Sequence, residues 1–242
     1  VDDGQSSFIG RSASASRRFR YELPRQRYPV RVSPPASEIS NLNPPLTPGE
    51  KMVFELFKRR LPDGWEIYLR AHLNGLKPDV VLLHPQRGVA VYEVKDWDFT
   101  ATTYSIKERD DGVASVIGTN ESKEHSVPNP FTKVRRYKDE IFNLYCPRLH
   151  RQTGLGAITA GVIFPFATRA QLTAAFGAYP TTLPGPSHLH PVVDSAHLAE
   201  GKLEHLLPRH GSVDTRMSAT LAADLRSWLV EPDFSAEQRV KL

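Results

Sequence analysis

Apolar positions first recur with helical spacing in "TPGEKMVFELFKRRL", where Val53, Leu56, Phe57 and Leu61 fall on one face. Thr47 is placed to cap, Pro48 suits the first turn, and Glu50 stands at the capping-box position. A helix over about 48–60 is predicted. The pattern then changes to short apolar runs. "WEIYLRAHL", "DVVLLH" and "VAVYEVK" read as strands, the last two joined through "PQRG". "TTYSIKE" and "VASVIG" form a further pair about "RDDG". "NPFTKVRRYKDEIFNLYCPRL" returns to a helical period, opening at Asn129, with Val134, Tyr137, Ile141 and Leu144 on one stripe. "GAITAGVIFPF" reads as a buried strand, "RAQLTAAF" as a short helix and "HPVVD" as a short strand. "SAHLAEGKLEHLL" reads as a helix capped by Ser195, and "VDTRMSATLAADLRSWL" as the last long helix. No internal repeat is present. This order predicts an α/β fold, a mixed β-sheet flanked by α-helices.

The ends differ from this middle. Residues 1–46 are rich in Ser, Pro and Arg, with seven arginines between Arg11 and Arg31. They read as a basic, partly disordered arm ahead of a domain over 47–230. Residues 231–242 read as a linker and the start of a further C-terminal domain. Of the 242 residues, 40% are hydrophobic, enough for a substantial core. No apolar run approaches the ~20 residues that span a bilayer. The single cysteine, Cys146, excludes an internal disulfide and a Cys-based zinc site. A cytoplasmic protein with no membrane partner is expected. The net charge of +4 permits an anionic partner without demanding one.

Candidate chemistry lies in "KPDVVLLHPQRGVAVYEVKDW", an apolar hairpin interrupted by Asp79, Glu93 and Lys95. Strand side chains alternate, so Glu93 and Lys95 share a face. A three-residue loop, Pro85 to Arg87, sets Asp79 opposite Glu93; a four-residue loop turns Asp79 to the other face. Facing carboxylates repel, and a hard divalent cation would relieve them. Asp79, Glu93 and the Val94 carbonyl could supply oxygens to Mg²⁺ or Mn²⁺, and Lys95 could orient water and offset transition-state charge. The simpler reading is a salt bridge on a sheet face.

Pro78-Asp79 followed by Glu93-Val94-Lys95 resembles the PD-(D/E)xK nuclease motif. More narrowly, "GEKMVFELFKRRL", "KPDVVLLHPQRGVAVYEVKDW" and "NPFTKVRRYKDEI", in that order, resemble the nuclease-related domain (NERD). The resemblance implies a restriction-endonuclease-like core: helix, three-stranded antiparallel meander, helix, parallel strand. It implies metal-dependent cleavage of nucleic acid, with Glu50 matching the family's first-helix glutamate beside its capping role. It departs at Lys133, where the family carries Gln, ahead of Tyr137. Lys133, Arg135, Arg136 and Tyr137 are candidate nucleic-acid contacts, with Lys138 extending the basic patch; a solvated helix face is the alternative.

Three further features are weighed. Trp97 reads as packing at a strand end more than as a base-stacking platform. His188, His190, Asp194 and His197 suggest zinc, but no fourth-ligand spacing or H-E-x-x-H supports it. "EPDFSAEQRVKL" is similar to the segment that opens superfamily 1 helicase motors, to which NERD domains are often fused. The expected function is a Mg²⁺- or Mn²⁺-dependent nuclease acting on DNA, RNA remaining open. The alternative is a catalytically weak nucleic-acid-binding module attached to a helicase-type domain.

Overall fold

The structure, a computed structural model, describes residues 30–73, 75–108, 114–121, 123–145, 157–177, 187–208 and 217–230. Most of the basic arm, Cys146 and the 231–242 segment lie outside them. Within the described residues, no helix is long and apolar enough to cross a membrane.

The first helix, α1, runs Pro48–Arg60. Both halves of its capping box form: the Thr47 hydroxyl accepts from the Glu50 N–H, and the Glu50 carboxylate accepts from the Thr47 N–H at 2.7 Å. Its apolar face packs on one side of a six-stranded sheet. Strands β2 (Glu66–Leu69), β3 (Val80–His84) and β4 (Gly88–Val94) form an antiparallel meander. β1 (Arg31–Ser33) adds parallel to β2. Order therefore begins before Thr47, because Val30 and Val32 find the α1-side core. Three strands follow β4 as a separate antiparallel sheet: β5 (Thr103–Glu108), β6 (Ala114–Asn120) and β7 (Lys123–Val127). β7 was not expected. Its residues Lys123–Ser126 are exposed on an edge and show no apolar alternation.

The chain then forms α2 (Pro130–Glu140), which passes into one wide turn over Ile141–Tyr145. Asn129 caps α2, accepting from the Phe131 and Thr132 N–H groups. β8 (Ile158–Ile163) and β9 (Val192–Val193) extend the main sheet parallel to β4, giving the order β1-β2-β3-β4-β8-β9. α3 (Arg169–Phe176) and α4 (Ser195–Glu200) flank them. α4 is shorter than expected, ends at the left-handed Gly201, and is capped by Asp194 and not Ser195. α5 (Ala219–Leu229) closes the α2 side of the sheet. The fold is α/β with helices on both faces of a mixed sheet, consistent with a restriction-endonuclease-like core.

Trp97 packs as expected, stacked on Tyr104 at 4.4 Å between centroids and tilted against Phe99, Phe164 and Phe176. α5 is tied to β2 by charge. Glu66 is buried and accepts two-pronged hydrogen bonds from Arg226 (2.6–3.0 Å) and one from the Tyr68 hydroxyl (2.7 Å). Burial pushes its carboxyl up, but these bonds outweigh burial and hold it below the usual range. Arg226→Ala leaves a buried carboxylate with one donor and should cost about 2 kcal/mol by chemical denaturation. A loss near zero would make α5 docking wholly apolar.

Candidate active site

The β3–β4 hairpin takes the three-residue loop. His84 pairs with Gly88 and Val80 with Tyr92, so the next position outward sets Asp79 opposite Glu93. Gly88 is required at the turn: its φ is +128°, and a Cβ there would lie 2.2 Å from the Ala157 carbonyl oxygen. Asp79 and Glu93 therefore share the α2 face of the sheet. Lys95 lies beyond the end of β4, held by its N–H on the Ile163 carbonyl at 2.8 Å.

Glu93 is 1% exposed, and its carboxylate accepts three hydrogen bonds. Oε1 accepts from Lys95 Nζ and Lys133 Nζ, each at 2.6 Å, and Oε2 accepts from the Tyr137 hydroxyl at 2.8 Å. Lys133 and Tyr137 stand one turn apart on α2, with the Lys133 ammonium 5.8 Å from the Tyr137 ring centre. Burial, then Glu93, raises the Tyr137 hydroxyl well above its ordinary value, so it is a donor here.

Asp79 is differently placed. Its Oδ2 accepts from the Val94 N–H at 2.7 Å. Burial, followed by the charge of Glu93, pushes its carboxyl up to about 7 despite that bond, and Glu50 adds to the rise. Glu50 accepts from the Thr47 N–H and pairs with Arg70 at 3.2 Å, so its capping role and its place beside Asp79 coexist. Two residues that sequence reasoning missed hold this corner. Asp96 Oδ2 accepts from the Gly49 N–H at 2.8 Å and so fastens the first turn of α1 to the end of β4. A Cβ on Gly49 would come within 2.0 Å of Asp96 Oδ1, so only glycine permits the contact. Arg70 binds Glu50 and the carbonyls of Pro44 and Pro45, and its N–H reaches the Asp79 carbonyl at 3.0 Å. Asp96 directly follows Glu-Val-Lys and was findable; Arg70 carries no local motif.

The remaining candidates separate from the cluster. Arg135 and Arg136 are exposed on α2, and Arg135 pairs with Asp139 at 3.9 Å. Lys138 does not extend a basic patch: it is 2% exposed, and burial pushes its ammonium down to about 8. Its place on the apolar side of α2, beside Val134 and Phe131, explains the difference. Asp194 and His197 join in capping α4, with His197 Nδ1 2.7 Å from Asp194 Oδ1. Among the described residues, no group of three or more His, Cys, Asp or Glu suits a metal ion. Asp79, Glu93 and the Val94 carbonyl offer hard oxygens, which fit Mg²⁺ or Mn²⁺ in kind. The raised Asp79 carboxyl is the state such a cation would reverse, while the ammonium groups on Glu93 compete with it.

An α/β core with acidic and basic side chains gathered at the mouth of its hairpin is consistent with a restriction-endonuclease-like domain. Residues 46–165 match the family model described as nuclease-related domain (NERD), and through that segment the chain belongs to this family. No curated protein and no solved structure matches the chain.

The Asp79 carboxyl gives a pH signature. Its ordinary value is 3.8 and its folded value about 7, so the folded state holds the proton more tightly. The stability this supplies is full below about pH 4 and is lost as pH rises through about 7. In chelator, the melting temperature of Asp79→Asn should fall less between pH 4 and 7 than that of the parent. Equal slopes would mean that Asp79 ionises normally.

Proposed function

We propose that the protein is a Mg²⁺- or Mn²⁺-dependent nuclease that hydrolyses phosphodiester bonds in DNA, with Asp79, Glu93, Lys95 and Glu50 as its working residues. The observation that supports this most is the register of the hairpin, which sets Asp79 against Glu93 with Lys95 on the same carboxylate. Asp79, Glu93 and the Val94 carbonyl would hold the cation, which when bound supplies Lewis-acid polarisation of the phosphate. Lys95 orients the attacking water and offsets charge gathering on the phosphate oxygens. Tyr137 and Asp96 act as positioning residues, one through Glu93 and the other through α1. In the step, water oxygen bonds to phosphorus and the bond to the leaving sugar oxygen breaks. The water loses a proton, and the leaving oxygen gains one. Arg135 and Arg136 contact the phosphate backbone outside the site.

A second reading draws on the ion pair between Lys133 and Glu93. Two ammonium groups already satisfy that carboxylate, which suits a nucleic-acid-binding module with weak or no catalysis.

Cleavage of single- and double-stranded DNA and RNA, with and without Mn²⁺, separates the two. The nuclease reading expects metal-dependent cleavage of DNA, reduced about 100-fold or more in Lys95→Ala with little change in affinity. Mn²⁺ should raise the melting temperature of the parent but not of Asp79→Ala. Arg135→Ala with Arg136→Ala should weaken binding and flatten its salt dependence. Binding without cleavage of any substrate would leave the second reading standing.

A further inference from the structure

The edge of the main sheet beyond β4 carries features that the hairpin chemistry does not use. β4, β8 and β9 are parallel neighbours, so their C-terminal ends emerge side by side at the edge that holds Lys95. From the end of β8 the chain makes a tight turn, closed by the Ala167 N–H on the Phe164 carbonyl at 3.3 Å. The turn is held to the end of β9 on both sides: Phe164 N–H donates to Val193 O at 2.8 Å, and Ser195 N–H to Ala167 O at 2.9 Å. Phe164 and Ala167 are buried, while Phe166 between them is 48% exposed. Pro165 meets the position a Cβ on Gly49 would take, 2.8 Å away, so the turn touches the α1 turn that carries Glu50. An aromatic ring is thus displayed on a fixed turn beside the candidate site.

Next to it stand two oriented nitrogen groups. Asp194, 1% exposed at the end of β9, holds Arg169 Nε at 2.9 Å and His197 Nδ1 at 2.7 Å. Arg169 Nη2 also donates to the Val192 carbonyl at 3.0 Å. Both side chains stay about half exposed, at 52% and 45%. From β4 to β9 is two strand spacings, about 10 Å. That is about three nucleotides at the ~3.4 Å rise of a stacked strand.

We infer that this edge is a track for single-stranded DNA: an unpaired base stacks on Phe166, and Arg169 takes a backbone phosphate further along. The inference rests on the nuclease reading for the direction of the strand, toward Lys95, but its binding does not require turnover. A single strand fits because an exposed aromatic ring pairs with the face of an unstacked base, which a duplex keeps inside. Arg169 fits the phosphate because the Asp194 ion pair and the Val192 carbonyl hold its guanidinium while leaving it about half exposed.

The test is fluorescence anisotropy in EDTA, where no cleavage intrudes, with a labelled 20-nucleotide oligo-dT and a 20-base-pair duplex as probes. Phe166→Ala should weaken oligo-dT binding about tenfold, as loss of one stacking platform does, and change duplex binding less than twofold. Phe166→Trp should restore it, and Phe166→Leu should not. Arg169→Ala should lower the salt slope for oligo-dT by about one, with its melting temperature checked against the loss of the Asp194 pair; Arg169→Lys should keep the slope. The inference is overturned if the parent does not bind oligo-dT, if Phe166→Ala binds it within twofold of the parent, or if both probes weaken alike. Phe166-dependent binding with no cleavage of any substrate would sink the nuclease reading alone. Metal-dependent cleavage together with oligo-dT binding indifferent to Phe166 would sink the track alone.

Discussion

The buried carboxylate of Glu93 is the constraint around which the site is arranged. At 1% exposure it would be costly to leave unpaired. Its partners come from two separate elements: Lys95 from its own strand, Lys133 and Tyr137 from α2. Meeting that demand fixes where α2 lies. Asn129 caps the helix, Pro130 starts it, and its apolar stripe of Phe131, Val134, Tyr137 and Ile141 lies on the same core as β4 and β8. The three-stranded sheet lies in the chain between β4 and α2. However long that excursion, the chain returns Lys133 and Tyr137 to the same carboxylate.

Asp79 shows what happens to an acid in the same place without an ammonium partner. One backbone N–H supports it, and burial and Glu93 act against its charge. The two carboxyls of the hairpin thus differ in kind: Glu93 accepts from two ammonium groups and a hydroxyl, while Asp79 has one backbone donor and its carboxyl is pushed up to about 7. Glu50 sharpens the contrast, since Arg70 and the Thr47 N–H compensate its own charge while it still presses on Asp79. The Asp96–Gly49 bond keeps that helix turn close.

Much of this was legible because it is local. The span of α1 followed from Thr47, Pro48 and Glu50, and the two possible hairpin loops were recognisable with their consequences for Asp79. The rest depended on contacts between distant segments. Whether Lys133 meets a phosphate or Glu93 is decided across a separation of 40 positions. Lys138 sits among charged neighbours in sequence, yet its helical position turns it inward. β7 offers no apolar alternation because it is an edge, and edges are kept polar to discourage further pairing. Ser195 and Asp194 are both capable caps, and only the path of the chain leaving β9 chooses Asp194.

Lys133 also alters the charge of the site. Glu50, Asp79 and Glu93 face Arg70, Lys95 and Lys133, three acids against three bases, linked by the pairs Glu50–Arg70, Glu93–Lys95 and Glu93–Lys133. A glutamine at position 133, as the family resemblance would have it, leaves the set one negative charge richer when all are ionised. An ammonium there lowers the attraction for a divalent cation and raises it for a phosphate, because both interactions scale with the same local charge. Under the proposed function, Lys133 would therefore shift the balance of the site from holding metal toward holding nucleic acid. The protonated fraction of Asp79 moves it further the same way as pH falls.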